Sequence, residues 1–99
     1  MNKMYVIVRM DLAPTYRCVQ GAHALSQYSL EFPKEFKKWN NTYLIFLGVW
    51  NLIELRAWIK KLHKTKKKFS IFHEPDLENH PTAICCYDLG RIFNKLNLA

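Results

Sequence analysis

Two stretches of this chain place apolar side chains at both parities of an extended strand. Residues 4–10 centre on Val6-Ile7-Val8 and are interrupted only by Arg9, and residues 42–50 run from Thr42 through Leu44-Ile45-Phe46-Leu47 to Trp50. A strand with one wet face alternates apolar and polar residues, so a run without alternation has to be covered on both faces. The β-branched centre of the first run favours extended backbone. Strands of this kind belong to α/β sheets, and a chain of 99 residues has room for one such domain and no second.

The segment between the runs reads as helix. Pro14 or Thr15 suits a first helical turn, and the helix is expected to reach about Leu30. Gly21, Ala22, Ala24 and Ser26 let it approach a sheet closely, at a propensity cost of about 1 kcal/mol for Gly21. Pro33 then opens a short helical turn carrying Phe36 and Trp39, which Asn40-Asn41 ends. Strand, helix and strand imply one right-handed crossover and a parallel pair.

Downstream, Asn51 with Glu54 resembles a capping box, and Leu52, Leu55, Trp58, Ile59 and Leu62 recur at helical spacing. Phe69, Ile71 and His73 alternate with Ser70 and Phe72, giving a third strand, and residues 82–87 give a fourth after a hairpin-length connection. Asp88 is expected to cap a last short helix in which Ile92, Phe93 and Leu96 pack on the body. The expected fold is α/β, a single-domain mixed four-stranded sheet flanked by helices on both faces.

Charge narrows the partner. Fifteen Lys and Arg against eight Asp and Glu give a net +7, which points to a polyanion, nucleic acid first, or else to a plainly solubilising surface. Lys60, Lys61, Lys64, Lys66, Lys67 and Lys68 crowd the end of the third helix, where cations match the helix dipole and would also attract phosphates. Cys18 and the neighbours Cys85 and Cys86 make an odd set that clips no loop, which fits a reducing compartment. Only five uncharged residues separate Lys3 from Arg9, too few for a signal-peptide core or a membrane span, so the cytoplasm and no membrane partner are expected.

Sites in open α/β sheets form beyond the carboxyl ends of strands. That rule selects Asp11 through Tyr16 after the first strand and the loop of residues 74–81. His73, Glu74, Asp76, Glu78 and His80 in and beside that loop are metal-ligand types, yet their spacing matches no standard site, and no metal is assigned. Gln20 and His23, three apart, share a helix face; alone, His23 reads as a helix-sheet packing residue. The chain has no Gly-rich phosphate loop, no nucleophile elbow and no histidine spaced to activate Cys18, so no cofactor and no covalent catalysis are expected.

Val6-Ile7-Val8-Arg9-Met10-Asp11-Leu12, followed by Val19-Gln20-Gly21-Ala22-His23-Ala24, resembles the opening of the type 2 (archaeal and eukaryotic-type) peptidyl-tRNA hydrolases, with their V-x-R-x-D-L strand end and Q-x-x-H-A helix. Lys37-Lys38-Trp39, the second apolar run, the Leu-rich helix and an Asp-containing loop before Thr82-Ala83-Ile84 follow in that family's order. The resemblance implies hydrolysis of the ester between an acyl group and the tRNA 3' end, a mixed four-stranded sheet, tRNA or another RNA as partner, and a homodimer. It implies Asp76, Thr82 and Asp11 at the ester, with Asp76 orienting the water and Thr82 donating a hydrogen bond, and Gln20 and His23 shaping the pocket. Between the two motifs the family carries a K-G-K-like segment, where this chain has Arg17 as its only cation. Arginine neutralises a phosphate or an oxyanion but stays protonated and is no base. Lys64, Lys66 and Lys67 are the expected RNA contacts.

Three functions are therefore weighed: an acyl-tRNA ester hydrolase, an RNA-binding module without hydrolysis, and a small-ligand or protein-interaction domain. The first requires the turn after strand one and the acidic bend to share a hollow, with the lysines at its rim.

Overall fold

In the computed structural model, which describes residues 3–88 and 91–99 with the side chain of Asp88 left aside, the two unalternating runs lie side by side inside a sheet. Strand β1 (Lys3–Arg9) pairs in parallel with β2 (Tyr43–Val49), from Lys3 opposite Tyr43 to Arg9 opposite Val49. The crossover between them is α1 (Pro14–Glu31) and the short α2 (Pro33–Trp39). Helix α3 (Leu52–Thr65) follows β2, and β3 (Phe69–Glu74) and β4 (His80–Asp88) form an antiparallel hairpin. Strand β4 returns antiparallel to β1, giving the order β3-β4-β1-β2-β5.

Both faces of β1 are covered, as its sequence requires. Met4, Val6 and Val8 pack with Ala24 and Tyr28 of α1, Trp39 of α2, and Ala83 and Cys85. Tyr5 and Ile7 pack on the other face with Leu55 and Leu62 of α3, Leu47, Val49, Ile84 and Cys86. Each side chain fully removed from water here contributes about 1.5–3 kcal/mol.

Local capping follows the sequence at one helix and departs from it at another. At α3, Asn51 Oδ1 accepts the Glu54 amide at 3.1 Å, while Glu54 Oε2 accepts the Trp50 amide at 3.1 Å. Helix α1 starts at Pro14 with no side-chain cap; proline needs no partner for an amide it lacks.

The sheet has five strands rather than the four expected. A two-residue β5 (Asn97–Leu98) pairs antiparallel with Leu47 and Gly48 of β2. It replaces part of the expected last helix; residues 91–96 form turns, with the Asn94 amide on the Arg91 carbonyl and the Leu96 amide on Phe93. The rest of that expectation, Asp88 as the cap and residues 89 and 90, lies outside the described residues. The reason for the turns is lateral: Phe93 is wedged between the rings of Tyr5, at 4.8 Å, and Trp58, at 5.4 Å. Tight turns from that anchor bring the chain to the open edge of β2, whose amides and carbonyls need partners.

Gly21 is where α1 meets the sheet most closely. A Cβ there would lie 2.5 Å from Phe46 Cε2 and 3.1 Å from Val6 Cγ1. Alanine improves helix propensity by about 1 kcal/mol, but overpacking costs about 1–3 kcal/mol. Gly21→Ala is therefore expected to lower the urea midpoint; a raised midpoint would show that Phe46 swings aside freely.

Candidate functional site

The polar residues of α1 and β3 form two facing stripes. Tyr16, Gln20, His23, Gln27 and Glu31 recur three or four apart along α1, and Ser70, Phe72 and Glu74 share one face of β3 by its period of two. The contacts run antiparallel. Ser70 Oγ donates to Glu31 Oε1 at 2.5 Å, the His23 ring stacks on Phe72 at 4.4 Å and 8°, and Gln20 Nε2 and Tyr16 Oη donate to Glu74 Oε1 at 3.0 and 3.1 Å.

Gln20 is fully buried, and its amide is used at both ends. While Nε2 donates to Glu74, Oε1 accepts from Thr82 Oγ1 at 2.5 Å. Thr82 is also fully buried and reaches Gln20 because the β3–β4 register slips: Phe72 faces Ala83, but His73 faces Pro81. Thr82 is the extra residue of that bulge, so it points to α1 on the same side as Ala83 instead of alternating with it. Pro81, which has no amide to lose, precedes it.

The Gln20 hydrogen bond, more than any other cause, holds the Glu74 carboxyl below its ordinary range; partial burial opposes this, and Tyr16 and the Asp76 amide reinforce it. Burial, and then the bond to Glu74, pushes the Tyr16 phenol up. Glu74 was not among the site residues expected from sequence. The sequence marks Glu74 only as one acid of the crowded bend of residues 74–81; the signal for its pairing with α1 is its place in the 70–72–74 stripe.

A second cluster lies at the same end of the sheet. Arg9 Nε and Nη2 grip Asp11 at 3.0 and 2.8 Å, and Arg9 Nη1 donates to the Pro81 carbonyl at 3.4 Å. The Arg9 guanidinium holds the exposed Asp11 carboxyl below its ordinary range. Arg9 also lines a hollow of about 310 Å³ with Asp76, Leu77, Glu78 and His80, in which His80 Nε2 is 3.6 Å from Glu78 Oε2. Asp76 stands on the single 3₁₀ turn Pro75–Leu77 that joins β3 to β4.

The structure thus brings together the exit of β1 and the acidic bend, with Asp11, Gln20, His23, Asp76 and Thr82 at one end of the molecule. It does not bring the lysines there. Lys64, Lys66 and Lys67 precede β3, whose first residue pairs with Cys86 and whose last pairs with His80. The length of β3, about 17 Å, lies between the end of that lysine segment and Glu74, and Lys67 lines a different hollow, with Phe72 and His73. Arg17 Nε donates to the Leu12 carbonyl at 2.7 Å and thereby closes the turn before α1. Among the described residues, no group of three or more His, Cys, Asp or Glu could hold a metal ion. No helix among them is long and apolar enough to cross a membrane.

The class defined by these features is an α/β protein with a five-stranded mixed sheet, three helices and a polar site at the carboxyl end of its parallel strands. Among solved structures, the chain is similar to the Agrobacterium tumefaciens protein of unknown function Atu0240, with a TM-score of 0.72, 14% identity, and 99% of this chain and 97% of that one covered. At that identity the likeness concerns the fold alone. No protein-family model matches the sequence, and no curated protein matches it.

Removing the central amide tests the network. Gln20→Ala leaves the buried Thr82 hydroxyl only the long 3.5 Å contact to the Phe72 carbonyl and takes one donor from Glu74, a loss of about 1–3 kcal/mol, measured as a lower urea midpoint. Glu74 also sets a pH response. Its folded pKa lies below the ordinary 4.5, so its contribution is complete above that value and fades as pH falls through the folded pKa. Glu74→Gln is expected to flatten the acid limb of stability against pH below 4.5; an unchanged limb would leave the carboxylate without that role.

Proposed function

We propose that this chain is an acyl-tRNA ester hydrolase related to the type 2 peptidyl-tRNA hydrolases, working at the Arg9–Asp76 hollow. The observation that carries the reading is that a carboxylate and an arginine line one hollow at the carboxyl end of the parallel pair. The resemblance of the Asp11-Leu12 and Gln20 to Ala24 segments to that family supports it further.

Ester hydrolysis needs a positioned water, a base and a stabiliser for the oxyanion. In this reading Asp76 takes a proton from the water as its oxygen bonds to the acyl carbon. The oxyanion that forms faces Arg9. A guanidinium has five N–H donors, of which Asp11 and the Pro81 carbonyl engage three, leaving two for the substrate. Collapse breaks the bond to the ribose oxygen, which leaves as a hydroxyl with the proton from Asp76, and the acyl group departs as a carboxylic acid. Gln20, Thr82 and Glu74 act as positioning residues that fix the bulge beside Pro81, and His23 holds Phe72, the β3 residue two positions before Glu74, by stacking on its ring. Asp11 orients Arg9.

A second reading, RNA binding without hydrolysis, is favoured by one observation. The Thr82 hydroxyl, a candidate oxyanion donor, is buried and bonded to Gln20.

Incubation with tRNA charged with an N-blocked amino acid separates the two. Ester loss above the spontaneous rate, falling by about 10²–10⁴-fold in Asp76→Ala, is expected of the hydrolase; no release ends that reading. RNA contact is tested by salt. Reversing the charge of Lys64, Lys66 and Lys67 should flatten the slope of log K against log salt by about 0.7–0.9 per lost phosphate contact. An unchanged slope moves the RNA away from those lysines.

A further inference from the structure

On the other side of β1 from the Arg9–Asp76 hollow, the same end of the sheet carries a second hollow of about 290 Å³, with Met10, Trp50, Glu54, Lys95 and Leu98 among its lining residues. Trp50 is 72% exposed, an unusual position for the largest apolar ring a protein owns. Its backbone is fixed, because its amide donates to Glu54 Oε2. The hollow is shaped by Gly48: a Cβ there would come within 2.7 Å of Met10 Cγ and Sδ, so only glycine lets the Met10 thioether lie at that depth. Strand β5 closes the far side by pairing with Leu47 and Gly48.

We propose that this hollow receives the purine base of the substrate's terminal nucleoside, stacked on the Trp50 indole, with Lys95 meeting its phosphate. The inference rests on the hydrolase reading for the identity of the substrate, but its chemistry is that of the hollow itself. An exposed aromatic face beside a cation suits a nucleobase, and the hollow holds one base rather than a folded partner. Both hollows also open at the same end of the sheet, one where Arg9 leaves β1 and the other where Met10 follows it, so a nucleotide end can reach from one to the other around the exit of β1.

Adenosine 5'-monophosphate is the probe, with affinity measured by equilibrium dialysis against the whole chain. Wild type should bind it, Trp50→Ala should lose roughly fivefold to a hundredfold, Trp50→Phe should keep part of the affinity, and Lys95→Glu should weaken binding. Ribose 5-phosphate should bind far less well. Equal binding of ribose 5-phosphate, or AMP affinity unchanged in Trp50→Ala, overturns the proposal. The two readings fail separately: ester release without AMP binding at Trp50 removes the base subsite and leaves the hydrolase, whereas Trp50-dependent AMP binding without ester release supports the subsite and removes the hydrolase. In the ester assay Trp50→Ala is expected to raise KM with little change in kcat, as loss of binding remote from the reacting atoms should.

Discussion

The buried amide of Gln20 is the interaction on which the polar end of this molecule depends. It joins three elements at once: α1, which carries it, β3 through Glu74, and the bulge of β4 through Thr82. Gly21, Ala24 and Tyr28 on the same helix are apolar or small and press into the sheet, so α1 is held by packing along one stripe and by directional bonds along the next. A buried amide in such a place is unforgiving, since each of its groups is costly if left unpaired. Packing alone would tolerate a small slide of α1 along β3. The Gln20 pairings do not, because a shift of one turn would leave neither Glu74 nor Thr82 within reach of the amide.

That fixed helix determines where the charges of the site can be. The bulge at Thr82 sets the position of the Pro81 carbonyl, the carbonyl takes one donor of Arg9, and Asp11 takes two more. Arg9 is consequently held between the exit of β1 and the start of β4 rather than extended into water. The carboxylates nearby are arranged differently: Glu74 receives two side-chain hydrogen bonds from α1, while Asp76 stands exposed on the 3₁₀ turn. One acid is committed to architecture and the other is open to a ligand.

Much of the frame was legible in the sequence because it follows from periodicity. Val6-Ile7-Val8 could be placed only where both faces are covered, and Leu55 and Leu62 only against a sheet; the second run was expected to be covered throughout, but Tyr43 and Leu44 are 50% and 43% exposed and only its far end, at Leu47 and Val49, is buried. The capping pair Asn51 and Glu54 marked the start of α3 for a local reason. What escaped depended on distant partners. The turns of residues 91–96 and the β5 strand arise from the seating of Phe93 between Tyr5 and Trp58 and from the unpaired edge of β2, neither of which a local pattern contains. The role of Glu74 required the bulge, and the separation of Lys64, Lys66 and Lys67 from the acidic bend required the direction of β3. The candidate residues Asp11, Gln20, His23, Asp76 and Thr82 do cluster, but Thr82 was expected to face substrate and instead faces Gln20, because an extra residue reverses the alternation of its strand.

The adjacent cysteines of β4 have a different consequence. Cys85 is buried in the layer beneath α1 and Cys86 in the layer beneath α3, and burial pushes the Cys85 thiol up, away from the reactive thiolate. Consecutive positions on one strand thus sample opposite halves of the interior. An alkylating reagent reaches either sulfur only when the layer above it lifts, so the order in which the two are labelled in native buffer would report which side of the sheet breathes first.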